Sequence, residues 1–176
     1  FTADNCGNIT SSKKIADFIK SQKTGGSVDT VQNYLAMLTS AFIFSKVNRF
    51  DIKGKKLLEI HEKYYSGDIG LKNILLGYKT GDISGHLENI VFLELLSRGF
   101  KVEIGKYNDL EIDFIATKGN ERIYIQVAYL MHDQKTIERE FRALEKINDN
   151  YPKLVLSMDK YPDSDKAGIQ WKNLVD

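Results

Sequence analysis

Near the N-terminus the apolar residues recur at helical spacing. Ile15, Phe18 and Ile19 follow Ser11-Ser12, two residues suited to capping a helix, and Gly25-Gly26-Ser27 closes that segment. A second amphipathic helix carries Val31, Tyr34, Leu35, Leu38 and Phe42 on one stripe, with Ser27 or Asp29 placed to accept its first free N–H groups. The period then changes. Residues 43–47 and 63–66 are short β-prone runs, and the basic stretch Arg49-Phe50-Asp51-Ile52-Lys53-Gly54-Lys55-Lys56 between them predicts a hairpin. Two helices at a turn followed by a hairpin is the order of a winged helix-turn-helix, whose second helix enters a major groove while the wing meets phosphates. On that expectation the nucleic-acid-binding residues are Gln32 and Asn33 on the second helix, with Arg49, Lys53, Lys55 and Lys56 on the wing. Winged helices also join domains or bind proteins, which is the competing expectation.

Three glycines between Gly77 and Gly85 interrupt the pattern, so the boundary falls near residue 80, with a winged-helix domain at 1–80 and a second domain at 81–176. The second part predicts helix, strand, strand, strand, helix, strand. Residues 84–98 are helical; 100–105, 110–117 and 121–129 alternate as half-buried strands, with Lys118-Gly119-Asn120 a turn. Residues 135–147 form a charged amphipathic helix. Leu154-Val155-Leu156 is a strand covered on both faces, and Gly168-Ile169-Gln170-Trp171 adds an edge. The fold class is therefore α/β (α+β), with the second domain a small α/β sandwich.

Composition sharpens this division. The chain has 176 residues, 42% of them apolar, enough for a buried core and against disorder. Its net charge of +1 conceals a split: residues 1–80 hold 12 basic and 7 acidic side chains, residues 81–176 hold 13 and 17. Any nucleic-acid surface is thus local to the first part. Cys6 is the one cysteine, which excludes an intrachain disulfide and fits a reducing cytoplasm, and His61, His86 and His132 have no zinc-ligand spacing with it. No run approaches the ~20 apolar residues of a membrane span. The start Phe1-Thr2-Ala3-Asp4 reads as a cut in a longer protein.

Three polar residues stand against the apolar pattern of the second part. Glu88 lies near the centre of the stripe made by Leu87, Val91, Phe92 and Leu95, where an acid is costly unless paired, and Glu94 lies nearer its edge. Asp113 interrupts Leu110-Glu111-Ile112-Asp113-Phe114-Ile115-Ala116 and, at period two, shares a face with Ile115. Gln126 and Ala128 share a face of the next strand, so an amide is expected beside Asp113. Oxygen donors in this arrangement suit a hard cation, and buried acids equally pair with backbone amides or a lysine.

The helix glutamate, the strand aspartate and the strand after it resemble the PD-(D/E)XK, or restriction-endonuclease-like, nuclease superfamily over about residues 84–160. The resemblance implies an α-β-β-β-α-β domain with a catalytic set of Glu88, Asp113 and Gln126, a Mg²⁺ ion held by Glu88 and Asp113 if a metal binds, and a lysine near the attacking water. Ala128 stands where that lysine belongs. Lys118, Lys135 and Lys146 are the candidates for a relocated one.

A second resemblance covers nearly the whole chain, on Thr30-Val31-Gln32-Asn33-Tyr34-Leu35, the 50–56 stretch, Lys63-Tyr64-Tyr65, Asp68-Ile69-Gly70-Leu71, Leu87-Glu88-Asn89, Glu111-Ile112-Asp113-Phe114, Ile125-Gln126-Val127-Ala128-Tyr129 and Arg139-Glu140-Phe141. These are similar to the C-terminal region of unknown function that follows the AAA+ module in bacterial and archaeal ATPases. The resemblance implies that Gln-Val-Ala is a family form of the third motif and that the AAA+ module is a partner outside this chain. No G-x-x-x-x-G-K-[ST] occurs here, so no cofactor is expected in this fragment.

Other residues take plainer expectations. His132 is a turn residue before it is a base; Tyr34, Tyr64, Tyr65 and Tyr129 pack before they stack on bases; Glu138-Arg139-Glu140 is a solvated helix face. The leading function is a DNA-binding or substrate-docking region with a degenerate nuclease-like fold. The alternatives are an active Mg²⁺-dependent DNA nuclease with a relocated lysine, and a protein-interaction module. Expected partners are DNA or a protein, and no membrane.

Overall fold

The computed structural model describes residues 1–78, 80–160 and 165–175, so Lys79 of the expected linker lies outside the described residues. The chain opens with α1 (Ser12–Ser21) and α2 (Val28–Ser40), then forms the strands β1 (Phe44–Asp51) and β2 (Lys56–Ser66) and the short helix α3 (Ile69–Leu76). There follow α4 (Ile83–Ser97), β3 (Lys101–Tyr107), β4 (Leu110–Lys118), β5 (Glu121–Val127), α5 (Gln134–Glu145), β6 (Lys153–Ser157) and β7 (Ile169–Asn173). This is a mixed α and β architecture. Local chemistry sets the helix starts: Ser11, Ser27, Asp68 and Asp133 each accept a backbone N–H from the first turn of α1, α2, α3 and α5.

The described strands form one sheet in the order β2-β1-β3-β4-β5-β6-β7. It runs through the expected boundary. Arg49, Phe50 and Asp51 of β1 pair in parallel with Ile104, Gly105 and Lys106 of β3, so the hairpin is part of the sheet rather than a free wing. The physical reason is edge satisfaction: without β3, one side of β1 would present unpaired N–H and C=O groups. Only the tip, residues 52–55, stands between the strands, and Arg49 and Lys56 sit inside them. Two helices and a hairpin thus follow one another in the chain, and the hairpin is not a detached wing.

Two irregularities in strand register position the site. Between the β1–β2 pairs Val47↔Lys63 and Arg49↔Leu58, the four residues 59–62 of β2 stand opposite Asn48 alone. Between the β3–β4 pairs Glu103↔Ile115 and Gly105↔Ile112, Asp113 and Phe114 stand opposite Ile104 alone. Such bulges bend a strand and redirect its side chains. Gly105 sits at the tight spot beside the second one, where a Cβ would come 2.8 Å from that of Ile112.

Helices cover both faces. On one, α5 contributes Phe141 and Leu144 to a cluster with Ile112, Ile115, Tyr124, Ala128, Val155 and Trp171. On the other, α4 packs Val91, Phe92 and Leu95 on Val47, Tyr65, Ile104, Phe114 and Ile125. The Tyr65 ring lies 4.5 Å from that of Phe92 and 5.6 Å from that of Phe114. Since β1 and β3 separate their strands, a flat sheet would hold Tyr65 and Phe114 about 14 Å apart, so the sheet curls and brings β2 over β4. A third cluster joins Ile15, Ala16, Val31 and Leu35 to Phe44 and Tyr64. The expected α2 stripe is only half used: Tyr34 is 61% exposed and Phe42, just past the helix, 83%.

Candidate functional site

The curl and the bulges assemble a charge cluster around a buried lysine. Lys63, 3% exposed, extends its ammonium to 3.1 Å from Glu88 Oε1 on α4 and 2.6 Å from Glu111 Oε1 on β4. Tyr65 donates its hydroxyl to the same Glu88 oxygen. Asp113, 8% exposed, accepts the Val127 N–H at 2.8 Å through Oδ2. Lys63 and Tyr65 come from the first part of the chain, the acids from the second.

Electrostatics follow from this crowding. Burial works against the charge of Lys63, and the Glu88, Glu111 and Asp113 carboxylates more than offset it, pushing its pKa up to about 12. Burial and the nearby Glu88 charge push Asp113 well above the ordinary carboxylate range, against the opposing pull of Lys63 and the Val127 N–H. Tyr65 is likewise raised, by burial first and then by Glu88. The cluster therefore holds Lys63 charged and favours a proton on Asp113.

Glu88 lies near enough for its charge to act on Asp113, but Gln126 is not in their cluster. Its Oε1 accepts the Asp113 backbone N–H at 3.4 Å, and its Nε2 donates to Glu140 Oε2 on α5 at 3.2 Å. Glu140 in turn pairs with Arg139 at 2.6 Å and is 12% exposed, which corrects its assignment to a solvated face. Ala128 lies in the cluster under α5. Period two puts Tyr124, Gln126 and Ala128 together on the α5 side, whereas the β4 bulge turns Asp113 and Phe114 toward α4. Asp113 consequently does not share the environment of Ile115, as a regular strand would require.

The three lysines expected as replacements are elsewhere. Lys118 donates to the Arg98 carbonyl at 2.8 Å, and Lys135 and Lys146 are exposed at the two ends of α5. The lysine that does reach the acids is Lys63. A signal for it existed: at period two Lys63 shares a face with Tyr65, and an aromatic neighbour facing the core carries the lysine inward with it. Glu94 pairs with Arg98 on the surface, His132 is exposed, Tyr64 and Tyr65 are buried, and Tyr34 and Tyr129 are exposed.

A divalent ion was the implied occupant of Glu88 and Asp113. Glu88 Oε1 already receives an ammonium and a hydroxyl, and among the described residues no three acidic, thiol or imidazole side chains gather as a metal-binding group. As arranged, these donors do not fit the ion. Lys63 supplies the positive charge instead.

The expected nucleic-acid residues divide by position. Lys53 and Lys55 are exposed at the hairpin tip, Lys56 is exposed at the start of β2, Arg49 is half-buried in β1, and Gln32 and Asn33 are exposed on α2. Gln32 lines a cleft of about 640 Å³ with Ser11, Lys46, His61 and Glu62, where Lys46 is already paired with Glu62 at 3.3 Å. No helix among the described residues is long and apolar enough to cross a membrane.

Residues 1–82 match a family described as a domain of unknown function, DUF8612. That match ends at residue 82, while the sheet continues past it through the β1–β3 pairing. Over 176 residues the chain is 38% identical to an uncharacterized protein of Haemophilus influenzae, of which it covers 43%. Over 143 residues, 79% of the chain, it is 34% identical to an uncharacterized protein of Methanocaldococcus jannaschii, of which it covers 31%. One relative is bacterial and one archaeal. The chain spans less than half the length of each.

Proposed function

We propose that this chain is a docking region of a larger prokaryotic AAA+ ATPase, and that it binds DNA through a nuclease-like core that does not cut. The observation that carries the reading is Lys63, whose ammonium sits between Glu88 and Glu111 and so engages the glutamate that a catalytic cation would need. The orientation of the third motif supports it: Gln126 bonds Glu140, and Ala128 supplies no cation. Without a metal to polarise phosphate and activate water, and without a general base, hydrolysis stays near background. The length of the two relatives, each more than twice the part matched, is compatible with a motor elsewhere in the protein. The AAA+ assignment itself rests on the sequence resemblance.

The test is incubation of the chain with duplex, branched and single-stranded DNA, with and without Mg²⁺ or Mn²⁺. Retarded but intact DNA is expected. Robust Mg²⁺-dependent cleavage abolished by Asp113→Ala would overturn the reading.

A second reading is favoured by the same lysine. Lys63 beside Glu88 would serve a nuclease whose lysine has moved to another strand, a reading that requires the acids to release the ammonium and take up a divalent ion. In that case cleavage should vanish in both Lys63→Ala and Asp113→Ala while DNA binding persists.

A further inference from the structure

Strand pairing lines up four charged residues across four strands. Lys56 of β2 pairs with Asp51 of β1, Asp51 pairs with Lys106 of β3, and Lys106 pairs with Glu111 of β4. Directly paired residues point to the same face, with Cβ atoms about 5 Å apart, so the four form one row along the end of the sheet. The row ends at Glu111, the acid that Lys63 holds. Beside it the hairpin tip reaches the β3–β4 turn, where Lys53 Nζ lies 3.5 Å from Asn108 Oδ1.

The charges in this row are unequally satisfied. Asp51 accepts the Gly54 N–H at 3.1 Å, and Glu111 is paired with Lys63. Lys53, Lys55, Lys56 and Lys106 form no ion pair with any described residue. Glu111 thus has a cation of its own, Asp51 keeps its charge, and the four ammonium groups are free of ion pairs, Lys53 donating to Asn108. By contrast α2, the expected groove-reading helix, contains no lysine or arginine at all. Lys53, Lys55 and Lys56 are exposed and Lys106 is half-buried beside them; unpaired cations along such a rim are the complement of a polyanion, and each phosphate they meet releases condensed counterions.

We infer that the rim formed by Lys53, Lys55, Lys56 and Lys106 is the surface that seats a nucleic-acid phosphodiester backbone, with α2 outside the contact. This rests on the DNA-docking reading above and deepens it: the footprint crosses both parts of the chain and leads to the Lys63 cluster. Contacts of this kind hold phosphates and read no bases, so binding is sequence-tolerant. Lys106 is the discriminating residue, because a wing acting alone would not involve it.

The experiment is fluorescence anisotropy of a short labelled DNA duplex titrated with the intact chain at several NaCl concentrations. Lys106→Glu should weaken binding several-fold and flatten the log–log salt slope by about 1, and Lys53→Glu, Lys55→Glu and Lys56→Glu together by about 3. Gln32→Ala with Asn33→Ala should leave both unchanged. Melting curves matching wild type establish that the variants are folded, and a failed Lys106→Glu is replaced by Lys106→Gln, with the same sign expected at smaller size. Binding that ignores the Lys106 substitutions, that ignores the joint substitution of Lys53, Lys55 and Lys56, or that is lost in the α2 variant overturns the inference and leaves the docking reading standing. Polyglutamate that displaces the duplex at a lower concentration of charges than unlabelled DNA does would overturn it in favour of an acidic polypeptide. Absence of any wild-type binding at low salt overturns the docking reading itself.

Discussion

The two faces of one sheet are held in different ways. Under α5 the contact is apolar, with Phe141, Leu144, Ile112, Ile115 and Trp171 closing over one another, and its polar link is Gln126 bridging the Asp113 backbone and Glu140. Under α4 a similar apolar layer surrounds Tyr65, Phe92 and Phe114, but beside it lie a lysine, a tyrosine hydroxyl and three carboxylates. The α5 face gains from removing apolar area from water. The α4 face must also compensate charges that water no longer solvates. The β4 irregularity serves the first as well, since it puts Ile112 and Ile115, three positions apart, on one face, whereas the second depends on both register irregularities to bring side chains from distant segments together.

The largest expected effect is on the apolar side. Phe141→Ala should lower the unfolding free energy by about 4 kcal/mol, with little salt dependence, in urea titrations. A loss much below this would mean that the α5 face collapses around the cavity. Lys63→Met comes next, at about 3 kcal/mol, because it strands Glu88 and Glu111 without a cation. Adding Glu88→Gln and Glu111→Gln should recover most of that loss; a triple variant no better than the single one would show that Lys63 acts by packing. For Gln126→Leu, about 1 kcal/mol of destabilisation is expected in the same titration, from the hydrogen bonds lost to Asp113 N–H and Glu140.

The smallest effect is a change of pH slope. Asp113 has its folded pKa raised above the ordinary 3.8, by burial and by Glu88. Between those two values the native state retains a proton that the unfolded chain has released, so wild-type stability should fall as pH rises through this window. Asp113→Asn removes that dependence while an amide oxygen can still accept the Val127 N–H. Relative to wild type, the variant should therefore gain stability as pH rises from 3.8 toward neutrality. Parallel stability curves for the two proteins would show that Asp113 is ionised throughout.

Much of the local structure was legible in the residue pattern. Ser11 and Ser27 mark the starts of α1 and α2, and the alternation in β4 and β5 shows through the sequence. The α3 helix was missed, although Asp68 caps it, because its eight residues are too few for a strong period. Of the α2 stripe expected from the sequence, Val31, Leu35 and the half-buried Leu38 pack on the core, whereas Tyr34 and Phe42 are exposed. Glu88 and Asp113 were recognisable from the cost of an acid among apolar neighbours, and the sequence resemblance pointed to the same pair.

What the sequence by itself determined is what depends on near neighbours along the chain: helix caps, strand alternation, and the need of two buried acids for a partner. Only the tertiary structure decided which partner they have. Lys63 precedes Glu88 by 25 positions, and reaches it because residues 59–62 bulge from β2 and the sheet curls β2 over β4. Pairing of β1 with β3 likewise joins the two parts of the chain through main-chain hydrogen bonds that many side chains would permit. Periodicity reports which face a residue occupies, but register, bulges and curl set which residues meet across it, and these are properties of the packed sheet as a whole.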